Sequence, residues 1–465
     1  MIVMKFGGTS VEDAPSIERV AEIIRARLAL RPVVVVSAMG KTTRRLLEAS
    51  AASASGDTRT TLRIVADLKT RHTSEARWVI GDAAAQVAPR IDQYFDELKK
   101  LLEGLAILGE VPPRGLDKIL AYGELLSSAI VAAALEERGI RARLLDSREL
   151  IKTDDRWGAA SPIADLTDSS IVASLGPLVE NAEVPVVQGF IGSTREGATT
   201  TLGFEGSDYT ASIIGAALGV DDIQIWKDVS GLMTADPAVF AAARTVKTCS
   251  YAEAGELTYF GAKVLHPKAI GPAARKNIPI HIYNSKLPEA TGTEITANVT
   301  RCANAIKSIA YTRPVTLIKA RYDSDASNAQ ATSSNDWLRA MLIALGRRRV
   351  EPLITAVSAS SVALAVESRQ LGGHADELVE NLSQFGAAGS AAGKAIVTLV
   401  GEEMPGDPTV AGRVLKAIEH IRPDAILHGT SPITMNVIVD EGDVEEAIGR
   451  LHEEFFDQLD RRVFE

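Results

Sequence analysis

Apolar and polar positions along the chain fall into two textures. Short runs of apolar, often β-branched residues stop at glycines or hydroxyls. Longer stretches repeat an apolar position every three or four residues. Ile2–Phe6 is a run of the first kind. Ser16–Leu30 is a stretch of the second, with Ile17, Val20, Ile23, Ile24 and Leu28 on one side. Val33 to Val36 is an unbroken valine run ending at Ser37. Such a run predicts a strand covered on both faces, as in a parallel sheet. The alternation recurs: a helical pattern over 125–137 and a strand over 141–146, a strand over 184–190, a helix from Tyr209 to Leu218 and a strand over 222–226. Strands alternating with helices predict an α/β domain with a parallel-rich sheet flanked by helices. Residues 57–115 carry more helical spacing and charge and read as a helical excursion from that sheet.

Beyond residue 285 the elements become smaller. Pro288, Thr291, Gly292 and Thr293 mark a loop. A strand over 315–320, a helix over 337–345, strands over 353–357 and 361–366 and a helix over 375–385 follow. Gly386 to Gly393 reads as a Gly/Ala/Ser linker. The order then repeats: strand 395–400, helix 410–421, strands 425–428 and 433–439, helix 444–456. Two copies of strand-helix-strand-strand-helix predict a repeated ferredoxin-like module of about 70 residues. The expected division is a large domain over 1–295, a first module over 306–385 and a second over 394–465. The strand 306–311 is a candidate to complete the second module.

Composition narrows the function. Fifty basic against sixty acidic residues give a net charge of −10, which argues against a dedicated nucleic-acid binder. Two cysteines, Cys249 and Cys302, are too few for a disulfide framework or a four-thiolate zinc site and fit a reducing compartment. The amino terminus lacks a secretory pattern, and no apolar run reaches the roughly 18 residues of a membrane span. A cytoplasmic protein with no membrane partner is expected.

Taken singly, the candidate motifs are ambiguous. Lys5-Phe6-Gly7-Gly8-Thr9-Ser10 could let backbone approach a polyphosphate, with Lys5 as a point charge, or be a tight turn with a surface lysine. Gly40-Lys41-Thr42-Thr43 lacks the earlier glycine of a Walker loop, since position 35 is Val35, and remains a polar loop at a strand end. Ser207 and Asp208 stand where a helix amino terminus could receive an anion, or could simply cap that helix. Glu124 in the first turn of a helix could be there for the dipole alone. Lys263 reads alone as a surface lysine and His266 as a packed or capping histidine. The scattered histidines show no metal spacing.

Their order is far more specific: KFGGTS, SAMGKTT, YGELLS, GFIGS, LGFEGSD, IWKDVSG and FGAKVLHP. In that order the chain resembles the aspartate kinases of the amino-acid kinase family over nearly its whole length. Its terminal modules look like that family's paired ACT domains. The length fits a monofunctional form. The resemblance implies transfer of the ATP γ-phosphoryl group to the side-chain carboxylate of L-aspartate, the first step toward lysine, threonine and methionine. Mg²⁺ would sit mainly on phosphates and water, with no dedicated metal ligands. A homodimer through the ACT modules is also implied. By resemblance, Lys5, Gly7 and Gly8 hold the phosphates, and Lys263 with Val264 completes the nucleotide site. Asp208 organises the lysines, so Lys5, Asp208 and Lys263 form the catalytic set. Lys227, Asp228 and Met233 fall on the nucleotide side. Ser37, Thr43, Glu124, Phe190 and Ser207 map to the aspartate side, with Glu124 accepting the ammonium.

The chain also departs from that family. An arginine that grips a substrate carboxylate is replaced by Phe204, and an asparagine beside Thr43 by Arg44, which we expect to supply the missing cation. A threonine is replaced by Lys227, a tyrosine by Met233, and the arginine after Pro237 by Ala238. In the first module Leu353 and Ala359 stand at or near the positions of effector-binding acids, and 323–334 lacks the usual glycine turn. Weak or absent lysine inhibition is therefore expected. Two other functions stay open: a related kinase for another acidic substrate, and a catalytically silent amino-acid sensor.

Overall fold

The computed structural model describes the chain except Phe204 and residues 263–264, 322–333, 349, 384–386 and 430, together with the side chains of Ser334 and Trp337. It divides into two compact units. The first holds Met1–Leu232, Lys247–Ala254 and Lys263–Val299; the second holds Met233–Val246, Gly255–Ala262 and Thr300–Glu465.

Among the described residues, ten strands lie in the first unit: β1 (Ile2–Phe6), β2 (Pro32–Val36), β3 (Ala142–Leu144), β4 (Val184–Gln188), β5 (Ile191–Ser193), β6 (Thr199–Thr201), β7 (Asp222–Lys227), β8 (Thr248–Ser250), β9 (Ile280–Asn284) and β10 (Thr293–Thr296). Eight form one sheet in the order β3-β4-β2-β1-β7-β9-β10-β8, and β5 and β6 form a separate hairpin. All neighbours in the large sheet run parallel except the β9–β10 pair. The valines of β2 are wholly buried, as a strand covered on both faces requires.

The register decides where chemistry can occur. Phe6 pairs with both Val36 and Trp226, and Val36 pairs with Gln188. The loops after β1, β2, β4 and β7 therefore leave the sheet at one edge. Because β1 lies between β2 and β7, the connections diverge there, which is where open α/β sheets form crevices.

The helix Ala14–Arg25 starts at an Asp13 cap, whose carboxylate accepts from Ser16 N at 2.9 Å. It stops five residues before the expected Leu30. Arg31 precedes Pro32 in a left-handed conformation, φ 52°, and the chain turns there into β2. Helices Thr58–Ile80, Ala84–Leu108 and Pro113–Leu120 form the helical excursion. The stretch Pro113–Glu137 has the length and apolar composition of a membrane span, contrary to the sequence expectation. However, 89% of its most apolar window is buried inside the unit, as in a core helix.

The second unit carries a six-stranded sheet. Its strands are β11 (Ser308–Arg321), β12 (Ile354–Val357), β13 (Ser361–Glu367), β14 (Ala387–Val400), β15 (Ala425–His428) and β16 (Thr434–Asp440), in the order β12-β13-β11-β14-β16-β15. Every pair is antiparallel. Two long strands serve both halves. Ser308–Thr312 pairs with Ile396–Val400, whereas Val315–Arg321 pairs with β13 and with Ala387–Lys394. The expected linker is thus a correction: Ala387 to Gly393 is the first half of β14. Its small residues show no alternation, so its strand character comes from ladder hydrogen bonds to β11 and not from a buried face. The helix expected over 410–421 ends earlier, at Ala417. The expected polar segment 323–333 lies outside the described residues.

Candidate active site

The converging loops of the first unit enclose a cavity of about 730 Å³. Lys5, Gly7 and Gly8 line it from β1 and the turn that follows. Ser37, Thr43 and Arg44 line it from the loop after β2 and the helix Thr42–Ala54. Glu124 comes from the helix Tyr122–Glu137, and Phe190 from the residue pair after β4. Ser207 belongs to the helix Gly206–Leu218, and Lys227 and Asp228 close the end of β7. The structure therefore brings eleven of the fifteen expected site residues to one cavity. A twelfth, Asp208, lies beside them, wholly buried.

Asp208 is held by two cations. Its Oδ1 lies 2.7 Å from Lys5 Nζ and its Oδ2 lies 3.0 Å from Lys227 Nζ. His266 N also donates to Oδ2, at 3.2 Å. Burial works to raise the Asp208 pKa, but Lys227 and Lys5 outweigh it and hold the carboxyl well below the usual carboxylate range. Burial lowers the pKa of Lys5 against the pull of Asp208. Lys227 feels the same burial, yet Asp208 and Glu205 raise it overall.

Glu124 has the opposite environment. Its side chain is buried, and Oε1 accepts from Ala38 N at 3.1 Å. Among the described residues Oε2 has no hydrogen-bond partner. Desolvation pushes this carboxyl up to about 8, only partly countered by the Ala38 N–H and the charge of Lys5. A buried polar atom with no partner, set in a cavity wall, is a place prepared for a donor.

Backbone strain and close approach also mark the site. Phe190 has φ 71° and Glu205 has φ 58°, both left-handed without being glycine. Phe190 N donates to Thr210 Oγ1 at 3.0 Å, which helps to hold that conformation. Gly8 is needed for space: a Cβ there would lie 2.8 Å from the Ala38 carbonyl oxygen. The Gly7 N–H is taken by the Trp226 carbonyl at 2.9 Å, so it is not available to a phosphate in this arrangement.

Lys263, Val264 and the substituted position Phe204 lie outside the described residues. Met233 belongs to the second unit, where its carbonyl accepts from Ser308 Oγ at 2.7 Å. Arg44 reaches the cavity, but its guanidinium is 79% exposed and lies 3.3 Å from Glu48 one turn along the helix. His266 caps the helix Pro267–Lys276, its Nδ1 accepting from Lys268 N at 3.1 Å.

Two acidic residues of the cavity are not among the residues that the sequence points to. Glu205 directly follows the more conspicuous Phe204 in its motif. Asp117 belongs to no short motif, because the donors to its carboxylate are far away in the chain.

A sequence profile of the amino acid kinase family matches residues 1–284, and an ACT domain profile matches residues 397–455. Aspartokinase 1, chloroplastic, of Arabidopsis thaliana is 32% identical over 98% of this chain and 80% of its own length. Lysine-sensitive aspartokinase 3 of Escherichia coli (strain K12) is 31% identical over 98% and 99%. Among solved structures, E. coli aspartokinase III in complex with aspartate and ADP matches with a TM-score of 0.86 at 29% identity, covering 98% of this chain and 100% of that one. Clostridium acetobutylicum aspartate kinase matches with a TM-score of 0.78 at 26% identity over 98% and 100%. With family profile, relatives and fold in agreement, the chain belongs to the amino acid kinase family and, within it, to the aspartokinases.

Proposed function

We propose that this protein transfers the γ-phosphoryl group of ATP to the side-chain carboxylate of L-aspartate, giving 4-phospho-L-aspartate and ADP. One observation carries the reading: a buried carboxylate oxygen without a partner, Glu124 Oε2, shares a cavity with the Lys5–Asp208–Lys227 ion cluster. The first suits a substrate ammonium; the second suits phosphate oxygens.

The reaction asks little proton chemistry of the protein. An aspartate side chain, with an ordinary pKa near 3.9, is already ionised at neutral pH. One of its oxygens attacks the γ-phosphorus, the bond to the β,γ-bridging oxygen breaks, and ADP leaves with that electron pair. The barrier lies in aligning two anions and spreading charge on the group in transit. Lys5 and Lys227 stabilise that charge, and Asp208 holds both ammonium groups in place. Glu124 binds the ammonium of the amino acid. Ser37, Thr43 and Ser207 supply hydroxyls to the acceptor, and Arg44 supplies a cation for its carboxylates. Gly7, Gly8 and Asp228 shape the nucleotide side, and Lys263 and Val264 contribute to it.

Mg²⁺ fits this site as a passenger of the nucleotide. Among the described residues no three His, Cys, Asp or Glu gather into a cage, while Glu205 and Asp228 both line the cavity. Those two carboxylates would hold the ion's water shell. When bound, the ion neutralises charge on the β- and γ-phosphates. The protein works as a cytoplasmic homodimer joined through its ACT modules.

The test is an assay with ATP and a panel of acids in which hydroxylamine traps the acyl phosphate. Hydroxamate from aspartate is expected. Product from glutamate or a larger acid alone would point instead to a kinase for another substrate. No hydroxamate from any acid would favour a sensor.

A further inference from the structure

Asp117 is 1% exposed, and its carboxylate accepts three hydrogen bonds, all from distant stretches of chain. Its Oδ2 accepts from Gly158 N at 3.0 Å and from Thr201 N at 2.9 Å; its Oδ1 accepts from Thr201 Oγ1 at 2.9 Å. Burying a carboxylate is costly unless donors surround it, and here two strands of chain, 41 and 84 residues away, converge to provide them. The two strands also bond each other, through Ala160 N to Thr201 O at 2.9 Å.

On one side of this carboxylate the connections lead to Glu124. Asp117 lies in the helix Pro113–Leu120; Ala121 N donates to Asp117 O at 3.1 Å, and Leu125 N to Ala121 O at 3.1 Å. The helix bearing Glu124 thus continues directly from the turn that Asp117 anchors. On the other side the connections lead to Phe190. Thr201 pairs with Ile191 in the hairpin, and Leu202 N donates to Phe190 O at 2.8 Å. That carbonyl belongs to the residue with φ 71°. Lys5, Lys227 and Asp228 ride on β1 and the end of β7, and none of them bonds Asp117.

We infer that Asp117 is a positioning residue for the acceptor half of the cavity: its carboxylate clamps the wall bearing Phe190 against the helix bearing Glu124. The inference rests on the reading of this site as a kinase for an acidic substrate. It adds that acceptor and nucleotide binding are supported by separate parts of the frame. An amide in place of the carboxylate would keep one oxygen for the two N–H donors but lose the negative charge and set an NH₂ group against the Thr201 hydroxyl, which must then turn from donor to acceptor.

The test compares wild type, Asp117→Asn and Thr201→Val, which removes only the hydroxyl donor. Kinetics with aspartate and ATP are measured together with backbone amide exchange. In Asp117→Asn the KM for aspartate is expected to rise about tenfold while the KM for ATP stays within about threefold; Thr201→Val lies between. Amides of 158 and 199–202 lose protection, and those of β1 and β7 keep theirs. A parallel rise in both KM values, an effect confined to kcat, or unchanged exchange at 199–202 would overturn the inference. If Asp117→Asn does not fold, Thr201→Val carries the same comparison. Should wild type phosphorylate no acid, the kinase reading fails on that result alone, and amide exchange still decides whether Asp117 holds the wall.

Discussion

Lys5 Nζ lies 2.7 Å from Asp208 Oδ1, and the two side chains are 6% and 0% exposed. An ammonium and a carboxylate this deeply buried depend on each other: removing one partner leaves an uncompensated buried charge. In Asp208→Asn, burial already lowers the Lys5 pKa and the opposing anion is gone. The ammonium groups of Lys5 and Lys227 also repel one another more. We expect kcat to fall by about 10²–10³, with the protein still folded by circular dichroism. A kcat within about threefold of wild type would remove Asp208 from the catalytic arrangement.

Glu124 makes two linked pH predictions. With its carboxyl pushed up to about 8, the unliganded protein keeps this group largely protonated at neutral pH. A bound ammonium favours the ionised form, so the KM for aspartate should fall as pH rises toward 8 and then level. The effect on stability has the opposite sense. From pH 4.5 to 8 the unfolded chain ionises Glu124 while the folded chain retains its proton, so this group's contribution to stability falls across that window. Glu124→Gln should flatten both profiles, raising the melting temperature relative to wild type more at pH 8 than at about pH 5 and raising the KM for aspartate. A variant with wild-type KM at every pH would dissociate Glu124 from the substrate ammonium.

Arg44 offers a cation at the cavity, yet its nearest acid is Glu48 at 3.3 Å in an exposed pair. Such pairs are weak, so the guanidinium can leave Glu48 for a substrate carboxylate at little cost. Arg44→Ala is expected to raise the KM for aspartate about tenfold without changing the melting temperature. An unchanged KM would mean that nothing at position 44 compensates for the phenylalanine at 204.

Much of this arrangement is legible in the sequence because it depends on local pattern. The valine run of β2, the glycines after β1 and the order of the motifs all refer to neighbours within a few residues. What escapes is what depends on distant partners. Asp117 carries no motif because its donors come from Gly158 and Thr201. Ala387 to Gly393 looks like a linker because the ladder that makes it a strand is supplied by β11, some 70 residues earlier. Lys227 stands out only as an unusual residue in a familiar motif; its pairing with Asp208 becomes visible once β7 is placed beside β1.

The family resemblance implies that Leu353 and Ala359, in the first terminal module, stand at or near the positions of acids that would meet an effector's ammonium. Neither residue can accept a hydrogen bond through its side chain. Initial rates at a fixed aspartate concentration should therefore be the same with and without submillimolar lysine. Half-maximal inhibition in that range would show that other residues build the effector site.

His452 gives the second unit its own response to acid. The ring is buried between Phe240 and Phe456, with centroids at 4.3 and 4.7 Å. Its Nε2 lies 2.8 Å from Thr234 Oγ1. Arg244 N donates to the same hydroxyl oxygen at 2.9 Å, leaving the hydroxyl proton for the ring nitrogen, so the imidazole is held neutral. Burial, reinforced by the Arg244 charge, lowers its pKa from 6.5 to about 4. The unfolded chain takes up this proton near 6.5 and the folded chain only near 4. Stability from this residue is therefore complete above 6.5 and lost as pH falls toward 4. His452→Leu, which can fill the same apolar slot, should remove that part of the acid sensitivity. In wild type the melting temperature should drop more steeply between pH 6.5 and 4 than in the variant; identical slopes would show that this ring is not buried neutral.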